Sequence, residues 1–244
     1  MNSPETTLPP AQRTRIKICG LTRESDVDAV VAAGADAVGF VMYPESPRHV
    51  SIERAGELSR RLPPFVNPVL LFVNAQAAEV QQACRRIPGA WLQFHGDETP
   101  EQCRDIAAQN ARPYLKAARI PLGADAGHFD LVKYAADYSE ANALLLDAHV
   151  AGYGGAGKTF NWSLLPPSVN SHLVLSGGLT PANVTDGILQ VRPRGLSLAV
   201  DVSSGVEVSK GIKSAEKIFQ FVAAVRAADG LLAKAIPHVF LPTT

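Results

Sequence analysis

The chain has 244 residues, 46% of them hydrophobic and 19% charged, which suits one large globular domain or two small ones. Basic and acidic residues balance at 23 each and the pI is near 7, with no basic stripe, which excludes a nucleic-acid partner as the working expectation. No apolar run approaches the roughly 20 residues that a membrane-spanning helix needs, so no membrane partner is expected.

Residues 1–14, MNSPETTLPPAQRT, lack an apolar core, make no secretory signal and read as a flexible lead-in. RIKIC (15–19) is the first strand-like run, and Thr22-Arg-Glu-Ser-Asp opens a helix with acidic residues in its first turn. Gly34 stands where that helix should stop. AVGFVM (37–42) follows, then a helical pattern from Ser51. PVLLFV (68–73) precedes a helix over 75–86, with Gly89 at its stop. AWLQFHG (90–96) precedes a helix over 99–109, where Pro100 takes the first helical position after the capping Thr99. YLKAAR (114–119), ALLLDA (143–148) and HLVLSG (172–177) come next, and Thr180-Pro181 opens a helix to Gln190. LSLAVDV (196–202) and a helix over 214–228 complete the pattern.

The eight runs are near-continuous in apolar character, as strands covered on both faces are. Their alternation with helices predicts an α/β fold, a single (β/α)8 TIM barrel over 15–229, in preference to an open doubly wound sheet, which periodicity alone leaves open. Residues 230–244 read as a C-terminal extension with no assigned role. Chemistry in such a barrel lies at the C-terminal ends of the strands. There the sequence sets Lys17, Cys19, Gly20, Tyr43, Asn74, His95, Gly96, Lys116, Asp147, Ser176–Gly178, Asp201 and Ser203–Gly205.

GYGGAGKT (152–159) fits the P-loop pattern, but Pro166-Pro167 stops any long helix after it, so it reads as a glycine-rich loop able to meet an anion. VLSGGLTPANV (174–184) and AVDVSSGVE (199–207) offer further anion sites, and three such turns point to a phosphate-bearing substrate; tight turns alone are the plainer reading. Asp147 ends an apolar strand, where a carboxyl can act as a proton donor or simply cap or pair. Cys19 is a candidate base: Lys17, two residues back, points the same way, and an ammonium there favours the thiolate. Lys17 could itself form a Schiff base. Arg48, in YPESPRHVS, has the fork to grip a carboxylate. The three cysteines are odd in number without metal spacing, and the six histidines include no His-x-x-x-His pair, so no metal site is expected.

In order along the chain, KICGLT, GADAVGFVMYPESPRHVS, LFVN, QFHGDE, LLLDA, GGAGKTFNW, LSGGLTPANV and AVDVSSGVE resemble the phosphoribosylanthranilate isomerase family of tryptophan biosynthesis. Gly211-Ile-Lys-Ser-Ala departs from the family, in which an acidic residue often follows the lysine, and that bears on the start of the last helix. The resemblance implies an aldose–ketose isomerisation, the Amadori rearrangement of N-(5′-phosphoribosyl)anthranilate. It implies Asp147 as general acid and Cys19 as general base, with Arg48 on the anthranilate carboxylate and His95 lining the pocket. The phosphate would rest on backbone amides of Gly157, Gly177, Gly178, Ser203, Ser204 and Gly205. No metal or organic cofactor is implied, because the substrate's own amine supplies the electron sink. A small phosphosugar partner, a cytoplasmic location with reduced thiols, and a monomer or weak homodimer complete the expectation. Two rivals remain at this stage: a Schiff-base lyase using Lys17 or Lys116, and a phosphate-binding barrel without catalysis.

Overall fold

A computed structural model describes residues 13–122, 129–148 and 159–235. Eight parallel strands close into a barrel: β1 (Arg15–Cys19), β2 (Ala37–Val41), β3 (Asn67–Phe72), β4 (Trp91–Phe94), β5 (Tyr114–Ile120), β6 (Ala143–Ala148), β7 (His172–Leu175) and β8 (Ser197–Val202). β8 returns to β1 with Lys17 beside Asp201, which completes the ring. All eight apolar runs of the sequence are strands, with no end differing by more than two residues.

The reason is visible in the side-chain parity. Ile16 and Ile18 of β1, with Val38, Phe40, Leu70, Phe72, Leu144 and Leu146, pack into the large core between barrel and helices. Val69, Leu115, Ala117, Leu145 and Val174 fill the barrel interior near its N-terminal end. Cys19, Val41, Leu71 and Val73 form the layer above them. Both faces of each strand are therefore dry, and no polar alternation is needed.

The helices are α1 (Glu24–Ala32), α2 (Ile52–Ser59), α3 (Ala77–Arg86), α4 (Pro100–Asn110), α5 (Leu131–Asp137), α6 (Val184–Val191) and α7 (Ala215–Ala235). Thr99 and Gln102 form a reciprocal capping box on α4, as the Thr99-Pro100 pair predicts. Gly34 and Gly89 follow α1 and α3 with φ of +80° and +81°. Three features differ from the sequence reading. The α5 helix was not anticipated; it is short, and Asp130 caps it by accepting from Lys133 N–H. The segment from Pro181 begins with a turn, because Asn183 Oδ1 takes the Thr180 N–H, and α6 starts only at Val184. The last helix runs to Ala235, past residue 229, and Ser214 Oγ accepts the Lys217 N–H at its start.

Arg13 and Thr14, assigned to the lead-in, are tied to the barrel. Arg13 pairs with Asp36 at 2.7 Å, and the Thr14 N–H reaches the Asp229 carboxylate on α7 at 3.0 Å. Between β8 and α7 lies an antiparallel hairpin, β9 (Glu207–Ser209) and β10 (Ile212–Lys213). Among the described residues no helix is long and apolar enough to cross a membrane.

Candidate active site

The C-terminal ends of the strands surround a cavity of about 80 Å³, lined among others by Cys19, Arg48, His95, Asp147, Gly177, Gly178, Ser203 and Ser204. Seven of the eight residues share one barrel mouth because each belongs to a strand end or to the loop just beyond it; Arg48 arrives from the longer loop between β2 and α2.

Cys19 is the last residue of β1 and points inward, 4% exposed, against Val41, Leu71, Val73 and Tyr43. Burial in this apolar layer pushes the thiol up from its ordinary value; Lys17 pulls it down, and Asp201 pushes it up again. Lys17 does favour the thiolate, as its place two residues back predicts, but burial and Asp201 outweigh it. Lys17 Nζ is bound to Asp201 Oδ1 at 2.9 Å, so its charge is already matched. The same pairing raises the lysine against the opposing effect of burial, which leaves it an ammonium and a poor amine nucleophile.

Asp147 projects from β6 into the mouth, its side chain 15% exposed. Its Oδ1 accepts the Ala148 N–H at 2.9 Å and its Oδ2 lies 3.0 Å from His95 Nε2. The Gln93 amide Nε2 lies 2.9 Å from His95 Nδ1. An amide N–H can only donate, so with the amide in this orientation Nδ1 accepts and the ring proton is assigned to Nε2, which donates to Asp147. His95 thus holds the Asp147 carboxyl group in place as well as lining the pocket, and Gln93 was not anticipated. Its position two residues before His95 on one strand face was the available signal. Gly177, with φ +77°, presses the loop after β7 against this group: a Cβ there would lie 2.9 Å from Asp147 Oδ1 and 2.7 Å from Ala148 N.

Arg48 is 7% exposed, and its fork is already engaged. Nε and Nη2 donate to the two oxygens of Glu207 at 2.7 and 2.8 Å. A bidentate grip on a ligand carboxylate by those two groups is excluded while Glu207 holds them. Nη1 makes no hydrogen bond among the described residues and Arg48 borders the cavity. Gly177, Gly178, Ser203 and Ser204 border it too, as the anion reading requires. Gly205 does not: a Cβ there would lie 1.9 Å from the Leu179 carbonyl oxygen, so it joins the loops after β7 and β8. Gly157 and most of the glycine-rich 152–159 stretch lie outside the described residues.

Lys116 stands apart from the mouth. It shares the parity of Tyr114 and Ala118, faces the helices, and donates to Glu98 Oε2 at 2.8 Å and Gly96 O at 2.9 Å. Glu98 also accepts the N–H groups of Asn74 and Gly96, so these strand-end residues brace loops rather than meet the cavity. Around one opening the described residues set a carboxyl, a thiol and two loops rich in glycine and serine, with no free lysine amine among the described residues that line it.

Comparison with known proteins agrees. The sequence profile of the family described as PRAI, N-(5′phosphoribosyl)anthranilate (PRA) isomerase, matches residues 16–224. An N-(5′-phosphoribosyl)anthranilate isomerase from Leptothrix cholodnii is 62% identical over 217 residues, covering 89% of this chain and 93% of that one. A crystal structure of phosphoribosyl anthranilate isomerase with reduced 1-(o-carboxyphenylamino)-1-deoxyribulose 5-phosphate superposes with TM-score 0.72 at 38% identity, over 88% of this chain and 99% of that one. Engineered monomers of the dimeric enzyme from Thermotoga maritima superpose with TM-score 0.70 at 36% identity, over the same shares.

Proposed function

The chain belongs to the N-(5′-phosphoribosyl)anthranilate isomerase family, and on that premise we propose how its residues carry out the reaction. It is an isomerase of tryptophan biosynthesis, converting N-(5′-phosphoribosyl)anthranilate to 1-(2-carboxyphenylamino)-1-deoxyribulose 5-phosphate. In our reading the Asp147 carboxyl gives its proton to the furanose ring oxygen as the C1–O bond breaks, and the nitrogen lone pair closes a C1=N iminium. Cys19 then takes the C2 proton; the C–H electrons become the C1=C2 bond and neutralise the nitrogen. The enolamine gains a proton at C1 and loses its hydroxyl proton to become the ketone. The order follows from electrostatics: the cationic iminium draws the buried Cys19 thiol towards its thiolate, the thiol's own proton leaves to solvent, and the thiolate is the base that takes the C2 proton. Each proton transfer is worth about 10²–10⁴-fold.

The phosphate rests on backbone N–H groups of Gly177, Gly178, Ser203 and Ser204, while Gly205 locks the cradle from behind. The carboxylate of the anthranilate ring meets Arg48 through Nη1. No cofactor takes part, because the iminium is the sink. The enzyme works in the cytoplasm, where Cys19, Cys84 and Cys103 stay reduced, and as a monomer or weak homodimer.

The observation that carries the mechanism is that Cys19 from β1 and Asp147 from β6 border one cavity. The test is loss of anthranilate-type fluorescence on adding freshly made substrate. Cys19→Ser and Asp147→Asn should each cut turnover at least 100-fold, in line with the usual worth of one proton transfer, with unchanged circular dichroism. Full activity in either variant removes that residue from its role.

A further inference from the structure

A second layer of charge lies behind the cavity wall. Glu207, the first residue of the β9–β10 hairpin, is 8% exposed and accepts from three sides. Arg48 donates to both oxygens, Lys213 Nζ to Oε1 at 2.9 Å, and the Gly211 N–H to Oε1 at 3.3 Å. Lys213 in turn donates to the Ser203 carbonyl at 3.0 Å and hydroxyl at 3.2 Å. One carboxylate therefore joins the arginine of the loop after β2 to the serine that begins the loop after β8.

The hairpin is anchored to a third loop as well. Thr22 Oγ1 donates to the Gly211 carbonyl at 2.9 Å, and Arg23 Nη2 to the Lys213 carbonyl at 3.2 Å. The stem of Arg48 lies over Gly20, directly after Cys19: a Cβ there would fall 2.5 Å from Arg48 Cδ. Two cations around one carboxylate leave one net positive charge beside a site for a substrate bearing a phosphate and a carboxylate. A buried ion pair gains little stability over a well-packed apolar group, so stability alone does not account for a shared, fully hydrogen-bonded trio. Fixing the orientation of its members does.

We propose that Glu207 is a positioning residue that couples the two anion-binding ends of the site. It sets the Arg48 guanidinium so that only Nη1 is left for the substrate carboxylate. Through Lys213 it sets Ser203, and so the phosphate cradle. This rests on the reading of Arg48 and Ser203–Ser204 given above.

The test uses the full chain, with anthranilate and inorganic phosphate as separate competitive inhibitors of the isomerase assay. Glu207→Gln should weaken inhibition by both and raise KM about tenfold or more, as loss of a charged hydrogen bond does, with kcat within about threefold. Arg48→Lys should weaken anthranilate only, and Lys213→Met should weaken phosphate only. If Glu207→Gln weakens one inhibitor and spares the other, or lowers kcat without moving KM, the coupling is overturned while the Arg48 and cradle assignments stand. If Arg48→Lys leaves anthranilate inhibition intact, or Lys213→Met leaves phosphate inhibition intact, the underlying assignment itself fails. Glu207→Asp keeps the charge and shortens the reach; it should show the same double loss even where Glu207→Gln does not fold. Wild-type inhibition by both compounds in Glu207→Asp overturns the proposal.

Discussion

Lys17 Nζ and Asp201 Oδ1 lie 2.9 Å apart, both side chains at least 94% buried, directly below the thiol of Cys19. An ammonium alone would draw the thiol down, but its bound carboxylate opposes that, and burial dominates both. The thiol should therefore titrate above its ordinary value of 9.0 in the free enzyme. Thiolate absorbance at 240 nm, taken as wild type minus Cys19→Ala, checks this without interference from Cys84 and Cys103, whose thiols burial also raises. Asp201→Asn removes the opposing anion, so the Cys19 midpoint should fall. A midpoint that stays put or rises contradicts this balance of charges.

Glu207 also makes an acid-stability prediction. Burial pushes its carboxyl up, but the hydrogen bonds and charges of Arg48 and Lys213 outweigh that and hold it below its ordinary value of 4.5. A carboxyl lowered on folding binds its proton first in the unfolded chain. Its contribution is thus complete above about pH 4.5 and is lost as pH falls through the lower folded value. Thermal melts of wild type and Glu207→Gln should differ most at pH 6 and converge towards pH 3. Parallel melting curves across that range would show that the Glu207 carboxyl is not lowered on folding.

Gly177→Ala tests how tightly the loop after β7 is set against the acid. Its φ of +77° costs a residue with a Cβ about 1–2 kcal/mol, and the added methyl meets Asp147 Oδ1 and the Ala148 nitrogen. The relief is a shift of the carboxyl or of the loop. Turnover should drop at least tenfold, since misplacement of about 1 Å can cost 10²-fold, while denaturant melts show only the modest loss. Near-normal kcat with the full stability loss would mean that the Asp147 position is not critical.

The legibility of this protein in its sequence follows the range of the interactions involved. The strands were readable because each is dry on both faces, which leaves an unbroken apolar run. Cys19 and Asp147 were readable because a polar group at the inward position of a strand's last residues has few other uses in a barrel. Lys116 was misleading because YLKAAR is apolar on both faces, and only counting from Leu115 shows that it faces the helices. Glu207 gave no local signal: its partner Arg48 is 159 residues away, and a loop glutamate is ordinarily a solvated one. The α5 helix was missed because seven residues hold barely two turns, too few for a 3.6-residue period to emerge.

Lys116 provides the last prediction, since its surroundings separate a brace from a Schiff-base nucleophile. It is 1% exposed, donates to Glu98 and to the Gly96 carbonyl, and sits 5.4 Å from the Tyr138 ring centroid. Removing one member of a buried pair costs about 3–5 kcal/mol, because the other charge is left uncompensated. Lys116→Met should lower the urea midpoint accordingly, and adding Glu98→Gln should restore part of the loss by discharging the orphaned partner. Activity of folded Lys116→Met should remain within a few-fold of wild type, because the amine faces the helices and not the sugar. Borohydride treatment of wild type with substrate should leave the protein mass unchanged. A mass gain that maps to Lys116 or Lys17 would replace the acid–base mechanism with a covalent one.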